Sequence, residues 1–184
     1  MSMVGYCMGL GDRHLENIML NTKTGEILHV DFNSLFFHGS LLPIAEVVPF
    51  RLTQNIEHGL GLLKTHGHYR NQAIKTQTWV RENAPVIFSV LNCLFYDPIA
   101  EFNLKEGSKN SNKAKKIDRK GQHLTKGQEE IFMSIRRKIN GNVGKYGEPS
   151  LTKLSVESQV DMLIAEAKNP ANLSRMFSGW APWL

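Results

Sequence analysis

Basic residues are missing where an anionic substrate would need them, and cysteine is nearly missing altogether. The nineteen residues from Phe32 to Phe50 contain no Lys or Arg. The only cysteines, Cys7 and Cys93, lie far apart without metal-ligand spacing. That excludes a disulfide framework or a structural zinc site, and two reduced, part-buried thiols are expected. No apolar run approaches the roughly 20 residues a membrane helix needs, so no membrane span is expected. The opening Ser-Met-Val-Gly-Tyr-Cys-Met lacks the charged start and long apolar stretch of a signal peptide, and an intracellular protein is the expectation. Internal repeats are absent as well.

Hydrophobic residues make up 41% of the 184 and charged residues 21%, enough apolar material for a core. The net charge of +5 is unevenly placed. Between Lys105 and Lys145 twelve Lys/Arg face four Asp/Glu, a balance of +8, while the rest of the chain holds ten basic and thirteen acidic residues. The basic character therefore belongs to one segment. Residues 103–150 are rich in Lys, Asn, Ser and Gly and poor in aromatics. They read as a solvated linker rather than a nucleic-acid face.

Local patterns predict an α+β, mostly helical chain. Residues 1–10 are mostly apolar, as in a buried helix, and 12–17 form a polar loop. Two short apolar runs around Asn21–Gly25 predict a β-hairpin over 18–30, with Gly25 at a positive φ. Gly39, Pro43 and Pro49 keep 32–50 irregular, and a loop that long inside a compact domain usually has a functional reason. A helix is predicted over 84–95, with Pro85 in its first turn, Asp97-Pro98 as its stop, and Val86, Ile87, Val90, Leu91, Leu94 and Phe95 on one face. Another is predicted near 129–139. The last starts at Ser155 as N-cap, carries Val156, Val160, Leu163, Ile164 and Ala167, and ends at Asn169-Pro170. Gly59-Leu-Gly-Leu-Leu-Lys64 lacks the strand and third glycine of a phosphate loop and reads as a helix break.

Two motifs carry chemistry: Gly11-Asp-Arg-His-Leu-Glu-Asn17 and His29-Val-Asp-Phe-Asn33. Phosphoryl transfer needs a residue that orients the attacking hydroxyl, an acceptor for its proton, and oxygen ligands that hold a divalent ion against the phosphates. Asn17 and Asp31 supply hard oxygens of that kind. Asp12 and Asn17 are five apart, the spacing of Asp and Asn in a kinase catalytic loop, and Asp31-Phe32 follows a hairpin as Asp-Phe-Gly does. His14 differs by lying after the aspartate. The blander readings are a surface role for His14, packing for His29 within the hairpin, a loop-bracing carboxylate pair for Arg13, and a packing anchor for Phe32.

The order Gly-Asp-Arg-His-x-x-Asn, hairpin, His-Val-Asp-Phe resembles the phosphatidylinositol 3-kinase superfamily. Glu46-Val-Val-Pro-Phe-Arg-Leu-Thr53 is similar to the Pro-Glu-x-x-Pro-Phe-Arg-Leu-Thr signature of its related protein kinases, with Ala45 in place of the proline. Residues 151–184 resemble the short FATC domain that closes those enzymes, with Trp180 and Trp183 as hallmark aromatics. The resemblance implies a partial C-lobe of a PI3K/PI4K-type kinase over 1–102, with catalytic loop 11–17, metal-binding loop 31–33 and activation loop 31–53, then a linker over 103–150 and FATC over 151–184. It implies that Asp12 and His14 activate the substrate hydroxyl and stabilise developing charge. Asn17 and Asp31 would bind Mg²⁺ or Mn²⁺, and Met19 and Val30 would line the adenine pocket of ATP. The terminal domain would pack on the lobe and support the activation loop. Ser174 stands where some relatives carry cysteine, so no redox switch is expected there.

Within that family the opening motif and Asp31-Phe-Asn33 are most similar to the checkpoint branch that answers single-stranded DNA, with the nonsense-mediated-decay branch as the alternative. That branch implies protein substrates phosphorylated at Ser/Thr before Gln, a nuclear location, a regulatory adaptor, and DNA reached only indirectly. It also implies an N-terminal lobe and helical-repeat region of the parent chain. The lobe's glycine-rich loop and phosphate-binding lysine are not among these 184 residues, so alone they are expected to bind ATP poorly and to be inactive. The missing basic residues argue against a phosphoinositide headgroup. Leu35, Phe36, Phe37, Leu41, Leu42 and Ile44 suit an uncharged peptide side chain instead.

Overall fold

A computed structural model describes residues 1–95, 126–142 and 153–184. Among them the helices are α1 (Ser2–Met8), α2 (Gln54–Gly59), α3 (His68–Glu82), α4 (Ala84–Phe95), α5 (Lys126–Asn140), α6 (Val156–Lys168) and α7 (Pro170–Leu173). One antiparallel ribbon joins β1 (Ile18–Leu20) to β2 (Ile27–His29), in the register Ile18 to His29, Met19 to Leu28 and Leu20 to Ile27. Asn21 Oδ1 accepts the amides of Lys23 and Thr24 to start the turn, and Gly25 completes it at φ +76°.

The core lies where α1, α3, α5 and α6 meet. Met3, Tyr6 and Cys7 from α1 pack with Val80, Ile135, Ile139, Val160, Leu163 and Ala167. Cys7 is fully buried, which pushes its thiol up to about 11, whereas Cys93 is exposed rather than part-buried; both are free. Ser155 caps α6 by accepting the Ser158 amide at 3.1 Å. Its Val160, Leu163, Ile164 and Ala167 are buried at the expected spacing.

Two helices depart from simple periodicity. Helix α3 buries only Ala73, Gln77 and Val80, so it has no stripe of large apolar residues to announce it. Helix α4 is apolar nearly all round. Ala84, Ile87, Phe88 and Leu91 reach the core, while Val86 and Val90 are each 64% exposed. Both sets satisfy a helical repeat, so spacing alone could not choose the buried face.

Polar contacts fix how the last helix docks. The fully buried Gln159 donates from Nε2 to the Lys138 carbonyl at 2.8 Å. Its Oε1 accepts from Gln77 Nε2 at 3.1 Å and Arg81 Nη2 at 2.7 Å. A satisfied network of this kind selects one docking arrangement among many greasy ones. Beyond it, Leu173, Met176 and Trp180 form a smaller core with Val47 and Val48. Trp183, by contrast, is half-exposed. The Asp97-Pro98 stop and most of the basic 103–150 segment lie outside the described residues.

Candidate active site

Helix α1 ends at Gly9, φ +66°, where a Cβ would stand 2.4 Å from the Phe37 ring. The Gly9 carbonyl accepts the Phe37 amide at 2.9 Å, so the helix end is fastened to the irregular 32–50 loop. The chain then enters the first motif. Asp12 adopts φ +58° and Asp31 φ +54°, a left-handed conformation that Asp tolerates better than most residues. The Asp12 amide is shared by both carboxylate oxygens of Glu46 at 2.9 Å each. A Cβ on Gly11 or Gly39 would lie 2.3 Å from Glu46 Oε2, so glycine is required on both sides of that carboxylate. Burial raises the Glu46 pKa. The Asp12 amide opposes this, and so does the Trp180 indole N–H, which forms no well-shaped hydrogen bond itself.

Asp12, His14 and Asn17 come together as one cluster. Asn17 Nδ2 donates to the Asp12 carbonyl at 2.8 Å and lies 3.5 Å from Asp12 Oδ2 and 3.1 Å from His14 Nε2. His14 Nε2 is 3.8 Å from Asp12 Oδ1. His14 Nδ1 accepts the Glu16 amide at 3.2 Å, which turns Nε2 towards Asn17 and the Asp12 carboxylate. With its nitrogen engaged in the loop, Asn17 has Oδ1 to offer a cation.

Asp31 is tied to this cluster through Arg13. The guanidinium is 4% exposed and donates to four backbone carbonyls. They are Gly11 at 2.9 Å, Val30 at 2.8 Å, Asn17 at 3.5 Å, and Asp31. The loop-bracing role expected of Arg13 is there, but among the described residues it is made through carbonyls and not through a carboxylate pair. Irregular loops leave carbonyls without ladder partners, and a five-donor fork can satisfy several at once. Burial lowers the Arg13 pKa, while Asp12, Asp31 and Glu46 favour its charge. Phe32 is 48% exposed, with Arg13 5.9 Å from its ring centre, so it faces the cation rather than anchoring in the core. The Asp31 carboxylate caps its own turn by accepting the Asn33 amide at 3.0 Å.

The ribbon has two different faces. Strand alternation puts Met19, Leu28 and Val30 on one side, with Met19 55% and Leu28 61% exposed. Ile18, Ile27 and His29 turn to the other side and line a cavity of about 140 Å³ with Arg13, Phe50 and Tyr69. His29 Nδ1 is buried there without a hydrogen bond, and burial followed by the Arg13 charge lowers its pKa. His29 packs, and stays out of the cluster.

The phosphatidylinositol 3- and 4-kinase domain profile matches residues 1–104. The chain belongs to that kinase family. A FATC domain profile matches residues 153–184. The chain is 39% identical over 184 residues to serine/threonine-protein kinase MEC1 of Candida albicans, covering 100% of this chain and 7% of that protein. Identity is 38% to serine/threonine-protein kinase ATR of Oryza sativa subsp. indica, over 99% of this chain and 6% of that protein. Among solved structures, the FAT and kinase domain of CtTel1 superimposes with a TM-score of 0.79 at 34% identity, covering 100% of this chain and 11% of that one. The chain thus spans only about 7% of the length of the curated relatives it matches.

In this chain one wall of the cavity beside the first motif is supplied by the FATC segment. A cavity of about 270 Å³ has Asp12 and His14 on one side, Leu42, Ile44 and Glu46 from the loop on another, and Met176, Phe177, Gly179 and Trp180 on a third. Among the described residues that line it there is no Lys or Arg. The kinase family implies ATP with a divalent cation, and the donor set fits one. Asn17 Oδ1 and the Asp31 carboxylate are hard oxygen donors of the kind that would hold such a cation, with waters and phosphates as its further ligands.

Sequence motifs did not single out Glu46 and Arg51 as contributors to the site. Their partners lie 34 and about 130 residues away, too far for any local pattern. Both residues belong to the Glu46–Thr53 signature, which marks the stretch but gives neither of them a partner.

Proposed function

We propose that this chain is the C-terminal part of the catalytic unit of an ATR-type serine/threonine protein kinase, transferring the γ-phosphate of ATP to protein Ser/Thr before Gln in nuclear checkpoint signalling. The observation that carries this reading is the cavity beside Asp12 and His14. A hydroxyl placed there meets a carboxylate to orient it and take its proton, with the His14 imidazole beside it to steady the developing charge. The apolar walls from Leu42, Ile44 and Phe177 favour an uncharged neighbour of the acceptor, and among the described residues lining the cavity there is no Lys or Arg to hold a phosphoinositide headgroup. The bound cation would supply charge neutralisation at the phosphates, held by Asn17 Oδ1 and the Asp31 carboxylate.

Support for the ATR branch comes from identity of 35–39% to four MEC1 proteins and 38% to protein kinase rad3 and to the ATR of Oryza sativa, against 32% to the ATM of Sus scrofa. Met19 and Val30 would lie beneath the adenine. Because their face of the ribbon is exposed here, it needs a covering lobe, and the 184 residues alone should bind Mg-ATP too weakly to register by micromolar titration. The rest of the parent chain, a regulatory adaptor and DNA reached through it are the partners this reading carries.

The test is transfer by the full-length kinase to a Ser-Gln peptide, its Ser-Ala counterpart, and phosphoinositide vesicles. The expected result is metal-dependent labelling of the first alone, abolished by chelator and restored by Mg²⁺ or Mn²⁺. Labelling of lipid, or equal labelling of both peptides, would overturn the substrate assignment.

A further inference from the structure

Arg51 closes the apolar run Val47–Phe50 and is 7% exposed. Among the described residues no Asp or Glu side chain pairs with it, and burial lowers its pKa. Burying a guanidinium is costly unless its donors are taken up by hydrogen bonds. Nη1 donates to the Trp180 carbonyl at 2.5 Å and to the Arg13 carbonyl at 3.4 Å. Nη2 donates to the carbonyls of Ala181 at 2.9 Å and Leu184 at 3.1 Å. The guanidinium also lies 4.5 Å from the centre of the Trp180 ring. Ala181 sits at φ +51°, a conformation alanine adopts only when its surroundings impose it.

One of those four carbonyls lies outside the terminal segment. It belongs to Arg13, between Asp12 and His14, and the Arg13 side chain in turn holds the carbonyls of Gly11, Asn17, Val30 and Asp31. The two arginines thus stand in series: the terminal segment fixes Arg51, Arg51 fixes the backbone of Arg13, and Arg13 fixes both loops.

We propose that Arg51 is a positioning residue for phosphoryl transfer, setting the backbone between Asp12 and His14 by holding the Arg13 carbonyl against Trp180–Leu184. This rests on the kinase reading above. Lysine at this position keeps the charge but not the planar fork, so it cannot bridge the two segments. A small displacement of the loop would then act on the chemical step rather than on nucleotide binding.

The experiment compares wild type, Arg51→Lys and Trp180→Leu in the full-length kinase, with Arg70→Ala as a surface control. Steady-state kinetics and hydrogen exchange of peptides 9–17 and 68–82 are measured together. For Arg51→Lys, kcat is expected to fall by roughly 10²-fold with KM for ATP little changed. Exchange should quicken in 9–17 and stay at wild-type rates in α3. Trp180→Leu, which keeps the carbonyls but loses the stacked ring, should move the same two readouts less, and Arg70→Ala neither. Wild-type kcat and exchange in Arg51→Lys would overturn the proposal. So would exchange that quickens equally in both peptides of both site variants, since Arg51 would then be merely structural. If the wild type transfers no phosphate, the kinase reading fails and the positioning of 9–17 by Arg51 is decided by exchange alone.

Discussion

The helical body and the catalytic rim are built from opposite materials. In the body, Ile135, Ile139, Val160 and Leu163 are fully buried, and the polar groups among them bond mainly to one another. In the rim Asp12, His14 and Asp31 are at least partly open to solvent while Asn17 is buried, and two buried guanidiniums bonded to backbone carbonyls brace the loops that carry them. Apolar packing resists unfolding but tolerates small shifts, whereas carbonyls gripped by a rigid fork define the position of a loop. Stability should therefore be concentrated in the first region and activity in the second, with little exchange between them.

The largest separation is expected from Asp12→Asn. The backbone amide that Glu46 holds is unchanged, and the Asp12 side chain is 45% exposed, so the urea midpoint should match wild type. The proton acceptor is gone, and kcat should fall by about 10²–10⁴-fold in the full-length enzyme. A variant with near-normal turnover would remove Asp12 from the chemistry.

Leu163→Ala attacks the body. It empties a fully buried site on α6 in the main core, and a loss of about 2–5 kcal/mol is expected from urea denaturation. Activity per folded molecule should survive. If kcat falls with the peptide and nucleotide KM values intact, the two regions are coupled and the division proposed above is wrong.

The same division governs what could be read from the sequence. The cluster of Asp12, His14 and Asn17 was legible because its members are five residues apart or fewer, and the hairpin because Asn21 and Gly25 are turn residues. Helix α6 was legible because Ser155 and its apolar spacing agree. Helix α3 was not, since the residue at the centre of its buried face is Gln77, which counts as polar in any periodicity. Helix α4 showed itself as a helix but concealed its orientation, because Val86 and Val90 look as apolar as Ile87 and Leu91. The partners of Arg13 were illegible for another reason: they are carbonyls, which every residue has, so nothing in the sequence marks them.

A pH experiment sharpens the comparison at Lys138, where body and rim touch. Its ammonium donates to the Tyr6 carbonyl at 3.2 Å and lies 4.4 Å and 4.1 Å from the ring centres of Tyr6 and Phe37. Burial pulls its pKa from 10.5 down to about 8, against the charges of Cys7 and Glu166. Below pH 8 folded and unfolded states both hold the proton, so this group adds no pH dependence. Between about 8 and 10.5 the folded state releases it and the unfolded state keeps it, so this contribution to stability rises with pH. The Cys7 thiol, raised from 9.0 to about 11, contributes with the opposite sign over its own range and is best removed by working in a Cys7→Ala background. There, the stability of Lys138 protein minus that of Lys138→Met should climb across this window. A flat difference would mean that the ammonium is solvated, and that α5 does not hold the loop root at Phe37 through a buried cation.

The smallest effect is expected where the ion pair looks best. Arg70 meets Asp161 through two parallel hydrogen bonds, Nε to Oδ1 at 2.5 Å and Nη2 to Oδ2 at 2.7 Å, linking α3 to α6 across the same junction as Leu163. Bidentate geometry gives a surface pair its best chance of contributing, but both side chains are well exposed, at 30% and 51%, and water and salt screen the attraction. Arg70→Ala should shift the urea midpoint too little to resolve at physiological ionic strength, and any shift should shrink further in high salt. An Arg70→Ala loss comparable to that of Leu163→Ala would mean that charge rather than buried apolar surface docks the terminal helix. The body would then be held by the same kind of force as the rim.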